Sequence, residues 1–141
     1  MAKRKIRVAV IGAGAVAQIN HIPAYAKTDG VEVVAVCDID REKAKRVAQR
    51  FGIPEASDDH EKLFESDAFD AVDVCVPNHL HAPVAVAALN AGKHVLGEKP
   101  FGRTPGEAAR MVAAAARNDR VLMAAFNNRF RNDAQILRTF M

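Results

Sequence analysis

Residues 12 to 17 read Gly12-Ala13-Gly14-Ala15-Val16-Ala17, the spacing G-x-G-x-x-A. Each small residue has a physical reason. The first glycine permits a tight turn, and the second leaves the backbone bare enough for a pyrophosphate to approach. The small residue at the third position lets a helix pack closely on a strand. A helix opening there offers free N–H groups and the positive end of its dipole to the phosphates. Asp38 stands 38 − 17 = 21 positions after Ala17. A carboxylate at that distance accepts hydrogen bonds from both hydroxyls of an adenosine ribose and repels a 2′-phosphate, which favours NAD over NADP. Arg41 acts in the opposite sense, because a nearby guanidinium accommodates that phosphate. The competing role for Asp38 is a cap for a helix starting at Arg41.

Two further groups could do chemistry. One is Val76-Pro77-Asn78-His79-Leu80-His81, and the other is Gly97-Glu98-Lys99-Pro100-Phe101. In the first, Pro77 stops an apolar run and two histidines follow; in the second, Glu98 and Lys99 end the apolar run and Pro100 comes after them. A solvated pair is the plain alternative for Glu98 and Lys99, and helix capping or surface exposure for His79 and His81. The histidines and the two cysteines, Cys37 and Cys75, scatter over different segments without a repeating ligand spacing, so no metal site is assigned.

The elements that must carry these groups alternate along the chain. Strands are expected at Arg7–Ile11, Val31–Cys37, Ala56–Ser57, Ala71–Val76, His94–Gly97 and Val121–Phe126. Helices are expected at Ala15–Lys27 (kinked or split at Pro23), Arg41–Arg50, Asp59–Glu65 behind an Asp58 cap, His79–Ala91, from the Thr104 cap to about Asn118, and from Asp133 onward. Gly52 and Gly92 end the second and fourth helices, and Thr104 with Glu107 reads as a capping box. This alternation implies a parallel sheet of about six strands with helices on both faces, the doubly wound Rossmann fold. Each candidate group then lies just past the carboxyl end of a strand, where open α/β sheets bind ligands.

Taken with the Asn127-Asn128-Arg129-Phe130 stretch, these motifs resemble the glucose-fructose oxidoreductase / inositol dehydrogenase (Gfo/Idh/MocA) family across nearly all of the chain. The Glu-Lys-Pro segment after the fifth strand is the most specific of them. The resemblance implies that Lys99 lies beside the nicotinamide and acts on the reacting hydroxyl or carbonyl. It implies that Glu98 contacts the nicotinamide ribose, that Pro77 and Asn78 line that end of the cofactor with His81 close by, and that the bond before Pro100 is often cis. Arg129 and Arg131 read as ordinary surface charges, with a substrate or cofactor role as the alternative for Arg129. The implied activity is hydride transfer between NAD (NADP possible) and a secondary alcohol of a sugar, inositol or related polyol.

Composition narrows the classes. At 141 residues the chain fits one domain, read as a cofactor-binding unit over residues 1–130 and the start of a connecting helix over 131–141. Half the residues are hydrophobic and Trp is absent, so Ala, Val, Ile and Leu must build the core. The net charge of +3 gathers in Lys3, Arg4, Lys5 and Arg7, with no basic helix or aromatic platform behind it, which argues against nucleic acid. No run is long enough to span a bilayer. The glycines break the signal-peptide-like start, so a cytoplasmic protein with reduced core thiols is expected. Relatives are more than twice this length. Their C-terminal α/β substrate domain, with its Asp/His pair, is expected to be absent here, leaving Ile136, Leu137, Phe140 and Met141 as an unpartnered apolar stripe. The full-length protein is expected to be a homo-oligomer. Two alternatives stay open: a non-catalytic NAD(H)-binding regulatory module, and another Rossmann reductase of the biliverdin or dihydrodipicolinate reductase type.

Overall fold

A computed structural model describes residues 4–140. Lys3 of the basic opening and Met141 of the apolar stripe lie outside the described residues. Six strands form one sheet: β1 (Ile6–Ile11), β2 (Val31–Cys37), β3 (Glu55–Ser57), β4 (Ala71–Val74), β5 (His94–Gly97) and β6 (Leu122–Ala124). Their order is β3-β2-β1-β4-β5-β6 and every pairing is parallel. The order reverses between β1 and β4, which opens the crevice of a doubly wound fold. All six carboxyl ends face one edge, so the glycine loop, Asp38, Pro77 and the Glu-Lys-Pro segment share it.

The helices are α1 (Ile22–Tyr25), α2 (Arg41–Phe51), α3 (His60–Phe64), α4 (His81–Asn90), α5 (Pro105–Arg117) and α6 (Asn132–Thr139). None is long and apolar enough to cross a membrane. The sheet separates two cores. On one face α3, α4 and α5 bury Leu63, Phe64, Ala85, Leu89, Met111 and Ala114 against Ala9, Ile11, Val72, Val74 and Val95. On the other, α2 and the first helical segment (residues 17–25, a π-helical stretch running into α1) bury Val47, Ala48, Ala17 and Ile22 against Val8, Val10 and Val36. Side chains alternate along a strand, so Asp73, flanked by Val72 and Val74, faces the second core and the first helical segment. Phe69 is among the largest fully buried side chains, so the core is not aliphatic alone.

Several expected boundaries shift for local reasons. Pro23 has no N–H, and the turn ahead of it widens into a π-helical segment, Ala17–His21, with the Ile22 N–H reaching back to the Ala17 carbonyl. The cap of α3 is Asp59 and not Asp58: the Asp59 carboxylate takes the Lys62 N–H, while Asp58 faces Arg41 at 3.8 Å. β4 ends at Val74, two residues short of Val76, and β6 covers only Leu122–Ala124. A 3₁₀ turn, Asn78–Leu80, replaces the expected start of α4. Thr104 does cap α5 by accepting the Glu107 N–H at 3.1 Å. The reciprocal bond closes one residue early, because Glu107 takes the Arg103 N–H and guanidinium instead of the cap residue's own N–H. Gly52 and Gly92 end their helices with positive φ, as expected.

Candidate functional site

The first arm of the crevice is made by backbone. Gly12 sits at φ +99° and its N–H donates to the Cys37 carbonyl at 2.7 Å. A Cβ added there would run into the Cys75 carbonyl oxygen. Gly14 is the converse case: a Cβ on it would meet nothing within 4 Å. Ala13 and Ala17 are wholly buried, which explains their size, whereas Ala15 and Val16 face solvent. An open glycine face beside the free N–H groups of a first helical turn fits a pyrophosphate.

Asp38 closes this arm. Its Oδ2 accepts the Ala13 N–H at 2.9 Å and its Oδ1 accepts the Asp40 N–H at 3.1 Å. The helix cap is Asp40, whose side chain takes the Lys43 N–H at 3.0 Å. Capping is therefore not the work of Asp38. The cation beside it is Lys43, Nζ to Oδ2 2.7 Å, and not Arg41, which is exposed and faces Asp58. Burial pushes the Asp38 carboxyl up. The Lys43 ammonium and the two N–H groups outweigh that and hold it below its ordinary value.

The second arm is made by side chains. Pro77 and Asn78 are exposed just past β4. His81 does not face the crevice. It is 2% exposed, with Nδ1 2.7 Å from the Pro100 carbonyl and Nε2 2.9 Å from the Val76 carbonyl, so it braces the two loops from below. Bracing of this kind is none of the roles read for His81 from the sequence, and its burial rules out the surface one. Lys99 is exposed beyond β5, and the Lys99–Pro100 peptide is cis. The Lys99 N–H donates to Glu98 Oε2 at 3.0 Å. Glu98 is half-buried, with Oε1 2.8 Å from His21 Nε2. Arg129 lies over the Phe130 ring at 5.8 Å, and Arg131 pairs with Asp133 at 2.7 Å.

His21, Tyr25, Asp73 and Lys43 are the residues that sequence reasoning missed. His21 Nδ1 lies 2.7 Å from Asp73 Oδ2, and the Tyr25 hydroxyl donates to the same oxygen at 3.0 Å. A carboxylate within the apolar run Ala71-Val72-Asp73-Val74-Cys75 is the signal that could have found them, because a buried charge needs a partner. His21 follows Ala17 by one helical turn, on the side that faces the sheet. His21, Asp73 and Cys75 offer ligand atoms within 4.8 Å of one another. Both ring nitrogens of His21 are already engaged by carboxylates, which leaves no lone pair for a cation.

The Gfo/Idh/MocA family, described as "Oxidoreductase family, NAD-binding Rossmann fold", matches residues 6–126. The chain is 38% identical over 138 residues to D-glucoside 3-dehydrogenase of Escherichia coli (strain K12), covering 98% of this chain and 39% of that protein. It is 36% identical to scyllo-inositol 2-dehydrogenase (NADP(+)) of Bacillus subtilis (strain 168), covering 89% and 38%. Among solved structures, it superposes with a TM-score of 0.93 and 31% identity on the WlbA dehydrogenase from Chromobactrium violaceum in complex with NADH and UDP-GlcNAcA. That match covers 100% of this chain and 41% of that one. The 3-ketoreductase KijD10 from Actinomadura kijaniata, in complex with TDP-benzene and NADP, gives 0.92 at 35% identity, covering 97% and 43%. The chain thus spans about two fifths of the length of these relatives. With the glycine turn, the acid after β2 and the Glu-Lys-Pro loop all on one sheet edge, this chain belongs to the Gfo/Idh/MocA oxidoreductase family as an NAD-binding Rossmann domain.

Proposed function

We propose that the chain is the cofactor-holding part of an NAD(P)-dependent oxidoreductase that moves hydride between the nicotinamide and a secondary alcohol of a sugar, inositol or related polyol. The observation that carries the reading is the opposition of the two arms across the strand-order reversal. One arm has a bare glycine face and a carboxylate for the adenosine half, and the other has Glu98 and an exposed Lys99 past β5. The nicotinamide, when bound, supplies the hydride chemistry. The chain's own residues bind and orient. Gly12 makes the turn, Gly14 lets phosphate approach, Asp38 receives the ribose hydroxyls, and Pro77 and Asn78 wall the far end. The Lys99 ammonium orients a substrate oxygen and eases loss or gain of its proton. His81 supports these loops without touching the cofactor.

Lys43 refines the cofactor choice. Its ammonium, 2.7 Å from Asp38, offsets the repulsion that this carboxylate would exert on a 2′-phosphate, so NAD and NADP are both taken, with NAD preferred. A cytoplasmic, homo-oligomeric whole belongs to the same proposal. Calorimetry of this chain with NAD, NADH, NADP and NADPH tests it. Micromolar-range binding of at least one is expected, and no binding of any of the four refutes the reading. In the full-length protein, Lys99→Ala is expected to lower turnover by about 10²–10⁴-fold, the range of lost acid–base catalysis, with NADH affinity of the chain little changed. Normal turnover would remove Lys99 from the chemistry. An unaffected dinucleotide affinity in a protein with no dehydrogenase activity would favour a regulatory NAD(H) module.

A further inference from the structure

Three charged side chains from three distant elements converge behind the Glu-Lys-Pro loop. Asp73 is wholly buried in β4. Strand alternation turns it toward the first helical segment, where His21 and Tyr25 meet it. Glu98, just past β5, faces the same side and takes the other edge of the imidazole at 2.8 Å. Its remaining oxygen takes the Lys99 N–H at 3.0 Å. The chain of contacts therefore runs from a fixed point inside the sheet to the backbone of the residue read as catalytic. Ionised carboxylates only accept hydrogen bonds, so a ring that bonds to two of them must donate from both nitrogens, and only the imidazolium does so. His21 is itself 10% exposed at its side chain, which shields these contacts from solvent.

We propose that His21 is a positioning residue for the nicotinamide arm: its imidazolium ties Glu98 to the buried Asp73 and so fixes the backbone from which the Lys99 ammonium projects. This rests on the reading of Glu98 and Lys99 given above. The hydrogen bond to Asp73, opposed by desolvation and helped by Glu98, pushes His21 from its ordinary 6.5 up to about 9. The other titratable groups around it are Tyr25 from α1 and Cys75 just past β4, its Sγ 3.6 Å from Asp73 Oδ1. Burial pushes both of these up as well, so neither ionises where His21 does. Above about pH 9 the ring gives up one contact. Glu98 is then free to leave, and Lys99 loses its fixed backbone.

The test follows the chain by NMR without nucleotide: the ring nitrogens of His21, the Glu98 side-chain carboxyl carbon and the Lys99 carbonyl carbon, from pH 6 to 10.5. Both ring nitrogens should be protonated at neutral pH, and the Glu98 and Lys99 carbons should move with the His21 midpoint near 9. In His21→Gln that step should vanish from both carbons, and in Glu98→Gln the His21 midpoint should fall toward its ordinary value. A neutral His21 ring at pH 7, or Glu98 and Lys99 carbons indifferent to it, overturns the proposal. The wild-type titration decides even where a variant fails to fold. A second arm measures NADH affinity. It should weaken about tenfold from pH 7.5 to 10 in the wild type, the scale of one hydrogen bond to a charged group, and be weak and flat in His21→Gln. A pH-independent wild-type affinity also overturns the proposal. No NADH binding at any pH defeats the dinucleotide reading instead, and the NMR titration still judges His21.

Discussion

The two arms of the crevice are held by different means. The arm proposed for the adenosine half is mostly backbone: Gly12 turns against Cys75, and Asp38 grips the Ala13 N–H 25 residues away. The arm proposed for the nicotinamide is assembled from side chains that start 52 and 77 residues from their partner His21, through Asp73 and Glu98. A backbone arm resists everything except a change of backbone geometry. A side-chain arm depends on buried charges that must all be present together. Substitutions should therefore fail differently in the two arms.

The largest effect is expected at Asp73. Removing Asp73 leaves the His21 Nδ1–H and the Tyr25 hydroxyl half-buried without their shared acceptor, at a total cost of about 2–6 kcal/mol for the two unsatisfied donors. Asp73→Ala should lower stability by that much in a denaturant melt. Asp73→Asn keeps the shape and one acceptor and should cost less. An Asp73→Ala chain as stable as the parent would mean that the cluster is not the anchor of its arm. Next comes the pair Gly12 and Gly14. Gly12→Ala places a side chain in the left-handed region and against the Cys75 carbonyl, which costs about 1–3 kcal/mol from the backbone alone, and it should abolish dinucleotide binding. Gly14→Ala meets open space, so it should fold as well as the parent or gain about 0.4–1 kcal/mol. It should still weaken binding at least tenfold, because the new methyl occupies the phosphate's approach. Calorimetry beside thermal melts separates the two, and equal melting losses at both glycines would erase the distinction between turn and cradle.

The same contrast explains what could be read beforehand. Parallel strands at Val31–Cys37 and His94–Gly97 fall where apolar runs bounded by glycine and polar residues put them. The glycine turn and Asp38 are a local pattern with a local cause, and the sheet edge brings them together as the spacing implies. His21, Tyr25 and Asp73 carry no such pattern. Their meeting depends on which face of β4 looks toward the first helical segment, and that follows from pleat and crossover, not from neighbours in the chain. Lys43 was hidden for a smaller reason. One helical turn past its own cap, it folds back onto Asp38, whereas Arg41 leaves for Asp58. The bracing by His81 was not legible because it depends on two carbonyls, of Val76 and Pro100, that only the fold brings to its ring.

Lys43 gives a milder test of the adenosine arm. Lys43→Ala should sharpen the preference for NADH over NADPH by about tenfold, roughly the worth of one partly exposed charge contact to a phosphate. Arg41→Ala should change the ratio less, since its guanidinium is turned to Asp58. Calorimetric affinities for NADH and NADPH decide between them. A larger change at Arg41 would return the 2′-phosphate to that residue and detach Lys43 from cofactor choice.

The smallest effect separates the carboxyl edge of the sheet from its amino edge by pH. At the amino edge the Arg7 guanidinium bonds Asp70 at 2.8 Å, the Arg7 N–H adds a second contact, and Arg4 stands beside them. Led by the Arg7 side chain and opposed by burial, these hold the Asp70 carboxyl well below the usual carboxylate range. A carboxyl depressed in the folded state contributes stability above its unfolded value, near 3.9, and that contribution is lost as pH falls further. His21 runs the other way: raised to about 9, it contributes fully below about 6.5 and loses its contribution as pH rises through 9. Melting curves should therefore decline on both flanks for separate reasons. Asp70→Asn should remove part of the acid slope and leave the alkaline one, and His21→Gln should do the reverse. The Asp70 change should be the slighter, because Arg4 is exposed and Arg7 only partly buried, so water and salt screen both. An alkaline slope that survives in His21→Gln would assign that flank to another group.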